Sequence, residues 1–452
     1  MSFDLPDLPQ DWSYASLSSC SQPNSVTYGV VQPGSALVNG IPLVRVNNFR
    51  DTRIDLSDVM YIAPEIEAKY NRTRLKGGEV LLTIVGSVGQ VAVVSSQCAG
   101  FNVARAVAVI HPLPNISADW IALCLRSPLS QHLLGSRANT TVQTTINLKD
   151  LRALPIPLPP ESERSAIAEF VGALDDRITL LRESNSTLEA ITQALFKSWF
   201  VAYDPVHAKM EGRAPEGMDE ATAELFPDGL EESKLGAVPR GWHPTMVANV
   251  AEVVKGKSYS SKDLVDSHDT ALVTLKSFER GGGFRMDGFK PYAGGYKASQ
   301  MVRAGDLIVA YTDVTQAAEL IGKPAIVVGV DEYSKLVASL DVGIVRPDES
   351  KCGRQFLYGL FKTESFQTHT LAHTSGTTVL HLAKDGVGSY VFACPPNQLV
   401  LAFEEIASVL AERRQANIDQ ARTLTNLRDT ILPRLISGQL RLPEAMEVLE
   451  AA

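Results

Sequence analysis

The sequence is poor in cysteine and has no closely spaced pair of them. The five cysteines are odd in number and far apart, and no Cys-x-x-Cys pair occurs: Cys20, Cys98, Cys124, Cys352 and Cys394. This spacing argues against a disulfide framework and against a zinc site built from thiolates. We interpret the cysteines as small, buried apolar side chains.

Long apolar runs are missing as well. No stretch of eighteen apolar residues occurs, and residues 1–4 carry neither the basic nor the apolar segment of a signal peptide. The sequence therefore predicts neither a membrane span nor secretion, and we expect a cytoplasmic protein. The length of 452 residues, with 45% hydrophobic and 21% charged side chains, is ordinary for a folded protein of two or three domains.

The chain also lacks the surplus of positive charge that is common in DNA-binding proteins, since its formal net charge is −9. Residues 1–155 carry 12 basic and 11 acidic side chains, and residues 237–396 carry 17 and 16. Residues 156–236 carry 7 basic and 16 acidic side chains, so the acidity lies between two nearly neutral segments. Such segments permit contact with DNA but do not require it.

Three patterns resemble parts of catalytic sites, but each lacks an essential feature. Residues 256–258 read Gly-Lys-Ser like the end of a phosphate-binding loop, yet the earlier glycine that this loop needs is Ala251. Asp348 and Glu349 are adjacent and point to different sides of the chain, so they cannot share one metal ion. The nearest match to an Asn-Pro-Pro-Tyr methylation motif, residues 394–397, reads Cys-Pro-Pro-Asn. We therefore expect no catalytic residue.

Histidines do not supply a metal site either. His369 and His373 share one face of a predicted helix and His381 follows, but no cysteine or carboxylate lies at ligand spacing. We interpret these histidines as packed or exposed side chains, and we expect no metal ion in this chain.

What the sequence does contain is one series of signals that occurs twice, about 230 to 236 residues apart. The matching segments are 8–12 and 238–242, 78–81 and 305–308, 140–150 and 377–385, and the proline pairs 159–160 and 395–396. A period of this length indicates two complete units, each a domain followed by a helix, rather than a stack of small repeats.

Within each repeat, short β-branched runs alternate with glycines. These runs are 41–46, 80–85, 91–94 and 103–110 in the first repeat and 271–275, 307–311 and 325–330 in the second. This pattern predicts short strands joined by tight turns. One helix is predicted in each repeat, over 119–136 and 353–371, so each domain should be mixed α/β with a twisted sheet.

A heptad pattern follows the first domain, over residues 163–200. Asn185 and Thr192 occupy two positions of a seam whose other members are apolar and follow steps of four and three: Ile167, Val171, Leu174, Ile178, Leu181, Leu188 and Leu195. A helix of this length extends about 57 Å. A polar seam residue fixes helix register at some cost in stability, so we expect Asn185→Leu to raise thermal stability.

A weaker stripe follows the second domain, over residues 398–436. It is broken at residues 413–415 and consists of Phe403, Ile406, Leu410, Ile418, Ala421, Leu424, Leu427, Ile431 and Leu435. A long helix with one apolar face needs a partner, and we predict that the two helices pair antiparallel within the chain. The alternative is that each helix packs only on its own domain.

The helices also carry a resemblance. Residues 155–160 (Pro-Ile-Pro-Leu-Pro-Pro), and then the segments 163–164, 167–168, 174–178, 188–189, 194–200, 204–209, 212–215 and 225–227, resemble the first long helix and the connector of the specificity subunits of type I restriction-modification systems. Residues 432–438 (Leu-Pro-Arg-Leu-Ile-Ser-Gly) are similar to the second helix of that family. This resemblance covers about a quarter of the chain, whereas the two α/β domains share only their layout with the family.

The resemblance implies a non-catalytic DNA-specificity subunit. In that family two target-recognition domains each read one half of a bipartite sequence in double-stranded DNA. The helices set the spacer between the halves and dock two modification (methyltransferase) subunits. Those partners bind S-adenosylmethionine, and restriction subunits that use ATP and Mg can join them, so no cofactor is expected in this chain. A four-residue insertion into one helix should then alter the spacer.

The predicted fold is mixed α/β, with two similar target-recognition domains separated by two long antiparallel helices that form an intramolecular coiled coil. We assign the first domain to residues 1–160, its helix to 161–200, an acidic connector to 201–236, the second domain to 237–396, its helix to 397–437 and a tail to 438–452. The connector should be ordered and should pack on a partner.

Candidate DNA contacts are loop residues with suitable hydrogen-bond donors and acceptors. In the first domain these are Arg45, Asn47, Asn48, Arg50, Arg53, Ser87, Gln90, Arg137, Asn139, Thr140, Thr141 and Gln143. In the second domain they are Lys276, Ser277, Arg280, Arg285, Tyr311, Thr312, Thr315, Gln316, Thr374, Ser375, Thr377 and Thr378. Neither domain contains a basic cluster, and for each residue a solvated surface position is the alternative.

Two other classes of protein stay open at this point. One is an enzyme, a fused DNA methyltransferase or nuclease, and the missing cofactor motifs count against it. The other is a coiled-coil scaffold without DNA recognition.

Overall fold

A computed structural model describes residues 5–50, 52–137, 144–315 and 317–450 of the chain, with side chains up to residue 447 at the C-terminal end. The chain divides into two compact units. Unit 1 comprises Met1–Leu180 and Gln420–Ala452, and unit 2 comprises Leu181–Asp419. Each unit therefore contains one of the two repeats together with a part of both long helices.

The strands are short in both units. Those of unit 1 are β1 (Ser13–Ser16), β2 (Thr27–Tyr28), β3 (Ile41–Val44), β4 (Phe49–Arg50), β5 (Arg53–Ile54), β6 (Met60–Ile62), β7 (Val80–Thr83), β8 (Val91–Val93), β9 (Asn102–Val103), β10 (Val107–Ile110) and β11 (Pro155–Leu158). Those of unit 2 are β12 (Leu230–Ser233), β13 (Gly236–Pro239), β14 (His243–Met246), β15 (Ala251–Lys255), β16 (Thr270–Val273), β17 (Lys290–Pro291), β18 (Met301–Val302), β19 (Leu307–Ala310), β20 (Thr312–Asp313), β21 (Pro324–Ile326), β22 (Lys335–Ala338), β23 (Val342–Pro347), β24 (Thr374–Ser375), β25 (Leu380–Leu382) and β26 (Val391–Cys394).

Two of the helices are much longer than the rest. The described α-helices are α1 (Pro64–Glu67), α2 (Ala118–Arg126), α3 (Pro128–Ser136), α4 (Leu148–Arg152), α5 (Glu161–Phe200), α6 (Asp204–Met210), α7 (Glu220–Glu224), α8 (Arg354–Phe361), α9 (Glu364–Ala372), α10 (Asn397–Ile436) and α11 (Leu442–Glu450).

The two units share one sheet topology. Unit 1 contains an antiparallel sheet of order β2-β10-β7-β8, and unit 2 contains its counterpart, β15-β23-β19-β21. A second sheet pairs β3 with β6 antiparallel and with β9 parallel, just as β16 pairs with β17 and β22. The pairs β1-β11 and β14-β26 join the two ends of each domain. The repeat in the sequence is therefore a repeat of the fold.

The prediction of one helix over 119–136 and one over 353–371 was wrong, because each region forms two helices. The first breaks at Ser127, whose side chain accepts a hydrogen bond from the amide of Ser130, and Pro128 begins α3. The second breaks at Thr363, which caps α9 in the same way by accepting from the amide of Phe366. A capping side chain satisfies an amide that has no partner in the first turn, so it favours a new helix at that residue.

The central strands explain why the apolar runs are continuous rather than alternating. All four residues of β7 and of β10 are buried, because both faces of this sheet are covered. Val80 and Leu82 pack in a cluster with α2 and with the long helices, whereas Leu81 packs in a second cluster with Val44 and Val103. The first cluster is the core that joins the domain of unit 1 to its helices.

In each unit the domain packs on both long helices. Trp12 of unit 1 shares a buried cluster with Ile167 near the start of α5 and with Leu435 at the end of α10. In unit 2, Trp242 shares a buried cluster with Phe200 at the end of α5 and with residues at the start of α10, such as Phe403. The alternative in which each helix packs only on the domain that precedes it is therefore wrong.

Residues 201–236 form ordered structure that packs within unit 2. Phe226 is 2% exposed, and its ring lies 5.3 Å from the ring of Trp199 at the end of α5. Lys209 of α6 donates a hydrogen bond of 2.6 Å to the carbonyl of Phe226. This segment is ordered, as we predicted, and it packs on the core of its own unit.

The two long helices pair antiparallel. In unit 1, Asp175 of α5 bonds Arg428 of α10 at 2.7 Å, and Glu163 of α5 bonds Arg441, which follows α10, at 2.6 Å. In unit 2, Asn185 bonds Asn417 at 2.9 Å, and Glu189 pairs with Arg414. In both units the partner number falls as the number on α5 rises. The prediction of two similar mixed α/β domains with a pair of antiparallel helices is thus confirmed.

Polar residues explain the break in the second apolar stripe. Starting from Phe403, steps of four and three lead through Ala407, Leu410, Arg414, Asn417, Ala421, Leu424, Arg428, Ile431 and Leu435. The seam of α10 is therefore complete, but three of its members are polar and bond residues of α5. Ile406 does not lie in this seam: it is 41% exposed, and Ala407, which is fully buried, takes the position that we assigned to it.

The other predicted pairing residues of the first helix are covered. Ile167, Val171, Leu174, Ile178 and Leu181 are at most 5% exposed, whereas Leu188 and Leu195 are partly buried. On the second helix Phe403 and Ile431 are buried, and Leu410, Leu424 and Leu427 are partly buried.

The Asn185–Asn417 pair changes the expectation for Asn185→Leu. Asn417 is only 3% exposed, and its amide donates to Asn185 Oδ1. Removing Asn185 alone leaves that buried amide without its partner, so the single variant should lower the free energy of unfolding by about 1–3 kcal/mol. The double variant Asn185→Leu, Asn417→Leu should recover or exceed the wild-type value. Urea unfolding of both variants tests this, and a single variant more stable than wild type would contradict it.

The Glu189 cluster predicts a pH dependence. Glu189 accepts bonds from Lys362 at 2.6 Å and from the Tyr358 hydroxyl at 2.9 Å, and it pairs with Arg414. Burial raises its pKa, but the charges of Arg414 and Lys362 outweigh burial and hold the pKa below the ordinary 4.5. A carboxyl group with a lowered pKa stabilises the fold above its ordinary pKa, and this contribution is lost as the pH falls through the folded-state pKa.

We therefore expect Glu189→Gln to lower the free energy of unfolding at pH 7. The difference from wild type should shrink below about pH 4.5 as Glu189 becomes protonated in the wild type. Unfolding curves between pH 3 and pH 7 measure this difference. Glu169→Gln, an exposed position on the same helix, is the matched control and should show no such trend. A pH-independent difference for Glu189→Gln would contradict the prediction.

Candidate nucleic-acid interface

A short turn after β3 carries the first candidate residues. Residues Val46–Asn48 form one turn of 3-10 helix, in which the side chain of Asn48 accepts from the amide of Arg45 at 2.8 Å. The amide group of Asn48 donates to the carbonyls of Asp55 and Asp58. Asn48 is 2% exposed, so it holds the turn, while Arg45 and Asn47 remain partly exposed beside it.

The arginines of this region are all paired with carboxylates. Arg45 lies 3.4 Å from Asp58, and Arg50 lies 3.4 Å from Asp55. Arg53 lies 3.0 Å from Asp176 of α5. Exposed ion pairs of this kind contribute about 0–1 kcal/mol each, so a phosphate group can replace the carboxylate at little cost.

A hairpin between β7 and β8 carries the next pair of candidates. Thr83, the last residue of β7, donates through its hydroxyl to the carbonyl of Ser87 at 2.5 Å, and it accepts from the amide of Gln90 at 2.9 Å. The side chains of Ser87 and Gln90 are exposed. The hairpin is therefore held by its strand, and its polar side chains face solvent.

These two segments meet at one concavity of the first domain. It has a volume of about 630 Å³, and its lining includes Arg45, Asn47, Arg50, Ser87 and Gln90. Five candidates that lie up to 45 residues apart in the sequence are thus brought together. Arg and Gln are the side chains that bond guanine and adenine edges, and backbone phosphates accept from Arg and Ser.

The remaining candidates of the first domain lie elsewhere. Arg137 is the partly exposed residue that ends α3. Asn139, Thr140, Thr141 and Gln143 lie outside the described residues. Residues 144 and 145, which follow them, bond the hairpin: the amide of Gly86 donates to the carbonyl of Thr144 at 3.0 Å, and Thr145 bridges Val85.

The second domain repeats the turn after β16. Residues Leu275–Ser277 form one turn of 3-10 helix, and the fully buried Ser277 accepts from the amide of Thr274, as Asn48 does from Arg45. Lys276, at the position of Asn47, is exposed. Ser277 therefore holds this turn and leaves Lys276 as its exposed donor.

The two arginines that follow are paired like those of the first domain. Arg280 lies 3.3 Å from Glu319, and Arg285 donates to Asp287 at 2.8 Å. Both arginine side chains are at least half exposed.

The loop after β19 is more buried than the hairpin of the first domain. Tyr311 and Thr312 are 6% and 7% exposed, and Asp313 is fully buried. Asp313 accepts from the amides of Thr315, Leu320 and Ile321, which closes the loop upon itself. Thr315 is partly exposed, and Gln316 lies outside the described residues.

Tyr311 has a buried hydroxyl without a hydrogen-bond partner among the described residues. Burial raises the pKa of this hydroxyl far above its ordinary value, and the nearby charge of Asp385 adds to the effect. Tyr311 and Thr312 are thus covered, so the exposed polar surface of this loop comes from its neighbours.

A three-stranded sheet brings those neighbours to the loop. β25 pairs with β20 on one side and with β24 on the other. Ser375, Thr377 and Thr378 are exposed on this sheet edge, and Thr374 is partly exposed. Residues about 60 positions apart therefore form one polar surface in the second domain.

The second-domain counterpart of Gln90 escaped the sequence reading. Lys323 follows Gly322 at the base of the long loop, where Gln90 follows Gly89 in the first domain: the amide of Ala310 donates to the Lys323 carbonyl, as that of Thr83 does to Gln90. Lys323 is partly buried, and burial lowers its pKa. The only sequence signal for Lys323 is the glycine that precedes it, just before β21. Because the loop is longer in the second domain, this glycine does not lie where the spacing of the repeat predicts it.

The described histidines and acidic residues form no ligand set. Among the described residues, no three or more His, Cys, Asp and Glu side chains are grouped to hold a metal ion. His369 and His373 stack at 4.1 Å, and His369 Nε2 lies 3.2 Å from the Ser389 hydroxyl. None of the described helices has the length and apolar character needed to cross a membrane.

Comparisons with known proteins agree with this geometry. A family model described as the type I restriction modification DNA specificity domain matches residues 36–190. The specificity subunit of type I restriction enzyme EcoBI from Escherichia coli is 35% identical over 169 residues, which are 37% of this chain and 35% of that subunit. The chain thus aligns with about a third of that relative's length.

Two further comparisons cover most of the chain. The specificity subunit of type I restriction enzyme HindI from Haemophilus influenzae is 24% identical over 423 residues, 81% of this chain and 87% of that one. The crystal structure of a type I restriction-modification S subunit from M. genitalium has a TM-score of 0.51 and 13% identity, and it covers 96% of this chain and 98% of that one. The latter likeness concerns the fold.

Two repeated domains with exposed hydrogen-bond donors, each packed on the paired helices, are the arrangement expected of a DNA-recognition protein. Over residues 36–190 the chain matches the DNA specificity domain of type I restriction-modification systems, and it is similar in sequence to specificity subunits of those systems. This similarity confirms the resemblance read from its helices.

The first concavity predicts a phosphate contact at Arg50, whose side chain is 75% exposed. Arg50→Ala should weaken binding to all DNA sequences alike, and the slope of log K against log salt should become less steep by about 0.9. Binding titrations between 50 and 200 mM salt, a range that resolves such slopes, measure this. Arg213→Ala removes an ion-paired arginine of comparable exposure from the segment after α6 and should leave the slope unchanged. A sequence-selective loss would contradict the phosphate role.

Proposed function

We propose that the two domains read the two halves of a bipartite sequence in double-stranded DNA, and that the paired helices set the spacer between those halves. The observation that carries this proposal is the repeat itself. Each unit presents the same 3-10 turn and the same hairpin base, but with different side chains, Asn47 and Gln90 in one domain and Lys276 and Lys323 in the other. Two domains of one fold with different donors suit a target with two different halves.

The chemistry of these donors favours different bases. Gln and Asn bond adenine through two hydrogen bonds, whereas Lys and Arg bond the O6 and N7 atoms of guanine. The first domain offers Asn47 and Gln90 between its arginines, and the second offers Lys276 and Lys323. We infer that the half-site read by the first domain contains an adenine, which Asn47 or Gln90 contacts. The half-site read by the second domain contains a guanine, which Lys276 or Lys323 contacts.

The helices also suit a docking role for partner subunits. Several apolar side chains on α5 and α10 point away from the seam and are between 41% and 62% exposed: Leu180, Ile191, Leu401, Ile406 and Val409. Exposed apolar patches of this kind are typical of interaction sites. We propose that two modification (methyltransferase) subunits cover them, and that these partners carry S-adenosylmethionine. Restriction subunits that use ATP and Mg can then join the same complex.

The domain boundaries follow from this proposal. Residues 1–160 and 237–396 are the two target-recognition domains, 161–200 and 397–437 the helices, 201–236 the connector and 438–452 the tail. The complex should act in the cytoplasm, because the DNA that it reads lies there in bacteria and archaea.

Sequencing of methylated DNA tests the function directly. Cells with the gene should show adenine methylation at one bipartite motif, and cells without it should lose that methylation. Methylation by the purified chain alone would favour a methyltransferase enzyme instead. Methylation that persists unchanged without the gene would favour a scaffold that does not recognise DNA.

Helix length predicts the spacer. Seven residues added to each helix at the Asn185–Asn417 layer keep the heptad seam and lengthen the pair by about 10 Å. This corresponds to about three base pairs of axial rise, so the spacer of the methylated motif should lengthen. A seven-residue insertion between β12 and β13, outside the seam, is the control and should leave the spacer unchanged. An unchanged spacer with intact methylation in the helix variant would contradict the role of the helices.

A further inference from the structure

One glutamine in each domain joins the end of a helix to a recognition hairpin. In the first domain, Gln131 of α3 donates through Nε2 to the carbonyl of Leu125 at 2.8 Å and to the carbonyl of Gly89 at 2.9 Å. Leu125 lies in the last turn of α2, where carbonyls lack a partner within the helix. Gly89 lies in the hairpin that carries Ser87 and Gln90. One amide group, which has two donors, thus bonds both.

The second domain contains the same arrangement. Gln367 of α9 donates through Nε2 to the carbonyl of Phe361 at 2.6 Å and to the carbonyl of Gly322 at 3.0 Å. Phe361 is the last residue of α8. Gln131 and Gln367 lie 236 residues apart, as do Leu125 and Phe361, so the two glutamines are equivalent in the repeat. We call each set of two bonds a glutamine clamp.

The hairpin bases that the clamps hold are also equivalent. The amide of Gly89 donates to the carbonyl of Thr83 at 3.0 Å, and the amide of Gly322 donates to the carbonyl of Ala310 at 2.9 Å. Both glycines have positive φ, +96° and +70°. A Cβ at Gly89 would lie 2.3 Å from Gln131 Oε1, and one at Gly322 would lie 2.2 Å from Thr370 Oγ1. Only glycine fits between strand and helix at these two points.

What differs between the domains is the loop between these fixed points. The short loop of the first domain has five residues, 84–88, and the long loop of the second has eleven, 311–321. The short loop is held by Thr83, the residue that precedes it, and the long loop by its own Asp313. The two domains therefore attach loops of different length and sequence to equivalent hairpin bases. In each domain the glutamine clamp fixes the position at which the loop ends.

From this juxtaposition we infer that Gln131 and Gln367 are positioning residues for DNA specificity: each fixes the end of the recognition loop of its own domain, and with it the residue after the glycine, Gln90 or Lys323. The inference rests on the proposed function, because it assigns each loop to one half of the DNA target. It predicts that the loss of one clamp disturbs the reading of one half-site only.

Substitution by methionine, which has a similar length and no donor, removes both bonds of a clamp. In the complex with its modification subunits, Gln131→Met should reduce by about tenfold the discrimination between the target and single-base variants of the half-site that the first domain reads. Discrimination in the other half-site and binding to unrelated DNA should stay as in wild type. Gln367→Met should give the mirror result. Competition binding with matched duplexes measures the discrimination ratio at each of the two half-sites for each of the two variants.

Controls separate positioning from stability. Leu134→Val loosens the core beside Gln131 on the same helix but removes neither clamp bond, and Leu134 is 2% exposed in the domain core. It should lower the melting temperature and leave the discrimination ratios unchanged. Gly89→Ala, which crowds Gln131, is a second variant and should give the same half-site effect as Gln131→Met.

The outcomes distinguish this inference from the proposed function. If the methionine variants lose discrimination equally in both half-sites, or change only the melting temperature as Leu134→Val does, the glutamines are structural and the inference is overturned while the bipartite target stands. If the wild-type complex itself shows no discrimination at two half-sites, the proposed function fails first.

Discussion

The structure depends on a few polar pairs within a largely apolar helix seam. Asn185 bonds Asn417, and Glu189 pairs with Arg414 one turn further along α5. Fourteen residues before Glu189, Asp175 pairs with Arg428, which lies fourteen residues after Arg414. Apolar layers tolerate a shift by one heptad, because each leucine then meets another apolar residue. Ion pairs and an asparagine pair do not, since a shift would leave buried polar groups without partners. The helix register is therefore specified by a few polar groups.

The same polar groups connect the register to the domains. Asp175 also bonds Arg126 at the end of α2 at 2.9 Å, and Glu189 bonds Lys362 just after α8 at 2.6 Å. Arg126 and Lys362 are equivalent in the repeat. In each unit the carboxylate of α5 therefore binds a basic residue of α10 and one of the adjoining domain. The glutamine clamps bond the same ends of α2 and α8 to the recognition hairpins. A constant frame thus carries loops that differ in length.

Much of this could be read from the sequence because it rests on local patterns. The duplication, the heptad of α5 and the strand-turn composition predicted two α/β domains with paired helices. The single helix predicted over 119–136 was wrong because Ser127 caps a second helix there. The apolar periodicity by which the helix was predicted does not detect such a cap. Asn185 was recognised as a polar seam residue, but its partner Asn417 lies 232 positions away and could not be identified from the heptad pattern. Lys323 was missed because the loop before it is six residues longer than its counterpart, and the spacing of the repeat is lost there.

By itself, the sequence determined which segments become strands and helices, that they occur twice, and which family the helices resemble. These features depend on neighbouring residues, through propensity, periodicity and capping. The tertiary structure decided which polar groups meet: that Arg414 and Arg428 complete a seam, that Arg45, Asn47, Ser87 and Gln90 line one concavity, and that Gln131 and Gln367 hold equivalent hairpins. Such contacts join residues far apart in the chain, and a hydrogen bond depends on distances and angles that no linear pattern contains.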